Sequence, residues 1–130
     1  MRLSELAEVL ARLGVRPRGA GGSNPEITGL ALDSRQVQAG HVFVAIDGTS
    51  EDGASYVPEA VERGAVAVVC DRDLAALQVP RLVVDDPRKA AAEAAAAFYG
   101  HPSRELYCCG ITGTNGKTTT AALLRSILQA

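Results

Sequence analysis

Ala65-Val66-Ala67-Val68-Val69-Cys70 decides the fold. Six apolar residues follow one another with no polar alternation, the pattern of a strand covered on both faces. A strand of that kind sits inside a parallel sheet with helices on either side. On its N-terminal side, Pro58–Arg63 suits a short helix, with Pro in its first turn and Gly64 just past its end. Before that, His41–Ile46 reads as a strand rich in β-branched and aromatic residues, and Ile27–Leu32 as a shorter one closed by Asp33-Ser34-Arg35. On the C-terminal side, one or two helical turns are expected at Leu74–Leu77 and a strand at Arg81–Val84. A helix follows, with Asp86 as N-cap, Pro87 at its first position and a mostly Ala body from Lys89 to Tyr99. At the start, Leu3, Leu6, Leu10 and Leu13 recur at helical spacing, with Ser4 placed to cap and Gly14 to terminate. Pro17, Gly19, Gly21, Gly22 and Pro25 then form a loop. Strand–helix–strand alternation predicts an α/β fold with a small, mostly parallel βαβ domain over residues 1–101.

His101-Pro102-Ser103-Arg104 interrupts that rhythm as a hinge. Beyond it come a buried strand, Leu106–Ile111, a glycine-rich turn and a helix, Thr118–Gln129. One strand and one helix cannot bury themselves. Residues 102–130 are therefore expected to begin a second, P-loop ATPase-like domain that is truncated here, with its apolar edge exposed in the isolated chain.

Composition narrows the function. The chain has 130 residues, 47% hydrophobic and 22% charged, enough for one packed core. Thirteen Lys and Arg against fifteen Asp and Glu exclude a basic nucleic-acid surface as the main theme. No apolar run approaches the roughly 20 residues of a membrane span, and the start does not read as a signal peptide. Cys70, Cys108 and Cys109 do not make a disulfide framework and are expected to be small hydrophobes within strands. A reduced, cytoplasmic setting follows. His41 and His101 have no Cys or carboxylate partner at a metal-ligand spacing.

The chemistry concentrates in Gly110-Ile111-Thr112-Gly113-Thr114-Asn115-Gly116-Lys117-Thr118-Thr119. Glycines let backbone N–H groups approach a phosphate, and the helix that follows aims its positive end at the anion. Gly113, Thr114, Asn115, Gly116, Lys117, Thr118 and Thr119 are the expected ATP-binding residues. Lys117 would serve as the catalytic cation on the β- and γ-phosphates, and the Thr118 hydroxyl would ligate Mg²⁺. The general P-loop pattern is missed by one residue, since Ile111 stands where it has glycine. Two other segments carry polar groups past strand ends, where α/β proteins place ligands: Asp33-Ser34-Arg35 and Thr49-Ser50-Glu51-Asp52-Gly53. On spacing alone, the first is an Asx-type turn and the second a solvated loop.

The glycine-rich stretch, together with Leu32-Asp33-Ser34-Arg35-Gln36-Val37, Gly40–Ala45, Gly48, Asp52-Gly53 and Gly64–Val69, resembles the Mur ligases. The loops of that family share the one-residue departure. The resemblance runs from Ile27 to Ala122. It implies ATP-dependent amide ligation in peptidoglycan precursor synthesis. A phosphoryl group passes to the D-glutamyl carboxylate of UDP-MurNAc-L-Ala-D-Glu, and a diamino acid attacks the acyl phosphate. Leu32, Ser34, Thr49, Ser50 and Glu51 would bind the UDP-MurNAc end, while Asp33 and Arg35 would brace that pocket. Ala54 and Thr114 favour the branch that adds a diamino acid over the branch that adds D-Ala-D-Ala. The resemblance further implies a cytoplasmic, monomeric full-length enzyme with ATP and Mg²⁺ as cofactors. The remaining Mg²⁺ ligands, a carbamylated lysine and the domain that selects the amino acid would lie beyond Ala130, leaving this chain inactive alone. The alternatives are the ligase of the D-Ala-D-Ala branch and a freestanding nucleotide-binding module.

Overall fold

The computed structural model describes residues 1–12, 14, 23–49, 51–74 and 77–129. Four parallel strands form one sheet in the order β1-β2-β3-β4, with β1 at Gly29–Ala31, β2 at His41–Val44, β3 at Ala67–Cys70 and β4 at Arg81–Val83. Each strand pairs with the next in sequence, Val42 opposite Ala67 and Val69 opposite Leu82. All four residues of β3 are buried, which is why Ala65–Cys70 lacks a polar face.

The two faces of the sheet are separate cores. Val42, Val44, Ala67, Val69, Leu82 and Val84 point to one side. There they meet helix α1 (Leu3–Arg12) through Leu3, Leu6 and Leu10, and helix α3 (Pro87–Phe98) through Ala90, Ala91 and Ala94. Small alanines let α3 lie close to the sheet and beside α1. Phe43, Ala45, Val68 and Cys70 point to the other side, against Val57 and Ala60 of helix α2 (Val57–Glu62). Each fully buried leucine of α1 contributes about 1.5–3 kcal/mol of transfer free energy. The three-layer α/β arrangement agrees with the sequence reading.

Local chemistry matches at α3, where the Asp86 carboxylate accepts from the Lys89 N–H at 3.0 Å and Pro87 occupies the first turn. It differs at α1. Ser4 lies inside that helix, and the cap is built by others: Glu5 Oε2 accepts from the Arg2 N–H at 2.8 Å, and Asn24 Oδ1 accepts from the Ser4 N–H at 2.9 Å. A carboxylate three residues on and an amide twenty residues away satisfy the first turn instead of Ser4 itself. The readings at Leu13, at residues 15–22 and at Ala75 and Ala76 lie outside the described residues.

Past α3 the character changes. A short 3-10 turn at Pro102–Arg104 leads to residues 107–113, which form no strand, and then to helix α4 (Lys117–Leu128). The expected buried strand at Leu106–Ile111 is absent because no neighbouring strand offers it hydrogen bonds. Its residues are exposed except Ile111, which is half-buried. Cys108 and Cys109 are exposed as well, contrary to the sequence reading, whereas Cys70 is buried in β3 as expected. The apolar face of α4 is open at Leu123, Ile127 and Leu128. No helix among the described residues is long and apolar enough to cross a membrane.

Candidate functional site

A cavity of about 530 Å³ opens where the C-terminal ends of β1 and β2 meet the start of α2. This edge of a parallel sheet is where the chain must turn away, leaving backbone groups and loop side chains around a hollow. Leu32 and Ser34 come from the turn after β1, Ile46, Gly48 and Glu51 from the loop after β2, and Tyr56 and Glu59 from the α2 side. The structure thus brings together Leu32, Ser34 and Glu51 from two separate segments. Thr49 is exposed and does not line the cavity, and Ser50 lies outside the described residues. A larger, mainly apolar cleft, about 640 Å³, runs beside α2 between Val57, Val61, Leu74 and Leu77, with Asp73 and Gln78 as its polar lining.

Hydrogen bonds fix the polar wall. Asp33 caps the 3-10 turn Ser34–Gln36, accepting the Arg35 N–H at 3.0 Å, and pairs with the Arg35 guanidinium at 2.7 Å. The Arg35 side chain and main-chain N–H together hold the Asp33 carboxyl down at about 2. Both residues sit at the rim, engaged with each other. Ser34 is buried and donates its hydroxyl to Glu59 Oε2 at 2.7 Å, while Glu59 also meets Arg63 at 3.0 Å. The Ser34 hydroxyl, with Arg63 assisting, lowers the Glu59 carboxyl below its ordinary range. Across the cavity, the Tyr56 hydroxyl donates to Glu51 Oε2 at 2.7 Å, and the carboxylate it meets raises the phenol. Exposed Leu32, with Phe43 and Ile46, gives the hollow an apolar side. An apolar wall facing a few placed donors and acceptors is the usual make-up of a small-molecule site.

Tyr56 and Glu59 were not singled out from the sequence. The available signal was Asp52, which caps a 3-10 turn at Gly53–Tyr56 by accepting the Ala54 N–H at 2.9 Å and so directs Tyr56 to the cavity. Gly53 is required there for space: a Cβ would lie 2.6 Å from the Ile46 backbone.

The glycine-rich loop forms a second polar surface. Gly116 occupies the N-cap of α4 with φ +76, a conformation that favours glycine, and no side chain caps the first turn. The amides of that turn are thereby left for an anion. Lys117 Nζ folds back onto the Gly113 carbonyl, and Thr118 and Thr119 are exposed beside it. An ammonium, uncapped amides and hydroxyls form a donor set that fits a magnesium-bound phosphate. Among the described residues, no three His, Cys, Asp or Glu side chains cluster to hold a metal by themselves.

Known proteins share this architecture. Residues 26–99 match the family model described as "Mur ligase family, catalytic domain". The chain belongs to the Mur ligase family. Among its relatives, a UDP-N-acetylmuramoyl-L-alanyl-D-glutamate--2,6-diaminopimelate ligase from Chlorobaculum tepidum is 48% identical over 131 residues, covering 99% of this chain and 26% of the relative. One from Bacteroides fragilis is 50% identical over 106 residues, covering 80% and 22%. A UDP-N-acetylmuramyl-tripeptide synthetase from Roseiflexus is 46% identical and covers 100% and 25%. The chain thus spans about a quarter of the length of these curated relatives. Among solved structures, the UDP-N-acetylmuramoylalanyl-D-glutamyl-2,6-diaminopimelate--D-alanyl-D-alanyl ligase of Acinetobacter baumannii superposes with a TM-score of 0.73 at 26% identity, over 97% of this chain and 27% of that one. A MurF ligase from Thermotoga maritima in complex with ADP gives 0.54 at 31%, over 70% and 21%.

Proposed function

We propose that this chain is the N-terminal part of an ATP-dependent ligase that adds a diamino acid to UDP-MurNAc-L-Ala-D-Glu. The observation that carries the reading is the convergence of Leu32, Ser34 and Glu51 on one cavity in a chain 48–50% identical to relatives named for that reaction. Residues 1–101 form the UDP-MurNAc-binding domain, with the uridine end of the substrate in the cavity and Thr49 and Ser50 as further substrate contacts through their backbone groups. Residues 102–130 begin the ATP-binding domain, and the rest of that domain covers Leu106, Leu123 and Ile127.

Gly113, Thr114, Asn115, Gly116 and Thr119 cradle the ATP phosphates. Lys117 would neutralise charge on the transferring phosphoryl group, and the Thr118 hydroxyl would hold Mg²⁺, which would add a second cation there. Cations and amides at those places stabilise the charge that builds as the phosphoryl group moves to the D-glutamyl carboxylate. Diaminopimelate, the amino acid in the names of several relatives, is the expected second substrate. The enzyme would act in the cytoplasm as a monomer.

Phosphate release from Mg-ATP by the complete gene product, supplied with UDP-MurNAc-L-Ala-D-Glu and each diamino acid in turn, tests the proposal. Release that requires diaminopimelate supports it. Release only with the tripeptide substrate and D-Ala-D-Ala moves the protein to the other branch. No release with either set defeats the ligase reading.

A further inference from the structure

Gly48, Glu51 and Gly53 supply one wall of the cavity, and two arginines that do not line the cavity grip their neighbours Asp47 and Asp52 from outside. Arg72, just past β3, reaches both ends of the loop: Nη2 meets Asp52 Oδ1, and Nη1 lies 4.0 Å from Asp47 Oδ2. Asp71 is a third carboxylate beside it, at 3.9 Å. Arg88, in the first turn of α3, donates Nη2 to the Asp47 main-chain oxygen at 2.8 Å. Asp47 passes that hold inward, because its Oδ1 accepts the Gly53 N–H at 2.8 Å. Within the loop, the Gly48 N–H donates to the Glu51 carbonyl at 2.9 Å, which sets the direction of Glu51. All three oxygens of Asp47 are thus engaged, two of them by arginines from distant parts of the chain. A guanidinium fork can span two carboxylates, as an ammonium cannot.

These groups are about half exposed, so their ion pairs add little to global stability. Their effect is local. We propose that Arg72 and Arg88 are positioning residues that hold Asp47, Asp52 and Gly53, and through them Glu51, in a ligand-accepting arrangement before a ligand arrives. The consequence for ligand affinity rests on the reading of the cavity as a UDP-MurNAc site; the consequence for loop order does not.

Two measurements on the full 130-residue chain separate these. Amide hydrogen exchange by NMR, without ligand, compares the wild type with Arg72→Gln, Arg72→Lys and the double variant Arg72→Gln/Arg88→Gln. Exchange at Gly48 and Gly53 should accelerate about fivefold in Arg72→Gln, the scale of one exposed ion pair, and further in the double variant. Val44 and Val69 in the sheet should not change, and Arg72→Lys should recover part of the protection. Calorimetric titration with UDP-MurNAc should then show affinity about three- to fivefold weaker in Arg72→Gln. Unchanged exchange at Gly48 and Gly53 in the double variant overturns the proposal, and so does acceleration spread evenly over the sheet. A wild-type chain that ignores UDP-MurNAc while its Gly53 protection still depends on Arg72 overturns the substrate reading and supports the clamp.

Discussion

Ala65–Cys70 and Leu106–Ile111 are alike as sequences and opposite as structures. Both are six-residue, mainly apolar runs ahead of a turn. The first supplies β3, hydrogen-bonded to β2 and β4 and covered on both faces, with Val68 fully buried. The second has no strand beside it and stays open, Tyr107 fully exposed. Strand character belongs to the pairing, and an apolar run without neighbours has nowhere to place its backbone groups. The same contrast separates α3, whose alanines touch the sheet, from α4, whose leucines do not.

The largest effect that would test this division is catalytic. Lys117→Ala in the complete protein should lower ligation on the order of 10³-fold while affinity for the UDP-MurNAc substrate holds, if loop and cavity lie on separate units as proposed. A parallel fall in substrate affinity, read by calorimetry, would break the division. Next in size is stability. Leu6→Ala, in the buried face of α1, should cost about 2–5 kcal/mol in urea unfolding, whereas Ile127→Ala on α4 should stay within about 0.5 kcal/mol in this chain. Equal costs would mean that α4 is packed after all. A smaller effect is expected from Gly53→Ala, where the new Cβ meets the Ile46 backbone and the strain is about 1–3 kcal/mol. UDP-MurNAc affinity should drop with it, and a structure of the variant should show the loop displaced.

The smallest effect concerns pH. Asp33 is held down at about 2 by Arg35, below the 3.8 of a free side chain. Its contribution to the rim is therefore complete above pH 4 and fades only as pH falls toward 2. An NMR titration of the Asp33 carboxyl should give a midpoint near 2, and Arg35→Gln should raise it toward 3.8. Glu59 shifts the same way, so Ser34→Ala should raise its midpoint.

What could be read from the sequence was whatever depends on neighbours along the chain. The two-sided burial of Ala65–Cys70, the Asp86-Pro87 helix start and the glycine-rich turn before Lys117 each follow from a few adjacent residues, and each predicted its element. Leu32 stood out only through a resemblance, and Ser34 through that resemblance together with its place just past a strand end. Only the folded chain could decide what meets across distance. Glu59 reaches Ser34 from 25 residues away, Arg72 meets Asp52 from 20, and Asn24 caps Ser4's amide. None of these pairings leaves a periodic trace, because one side chain reaching another needs only a suitable fold, and no local spacing. Burial of Leu106–Ile111 is the same kind of quantity: the residues supply the apolar surface, and whether it is covered depends on what the rest of the fold sets against it.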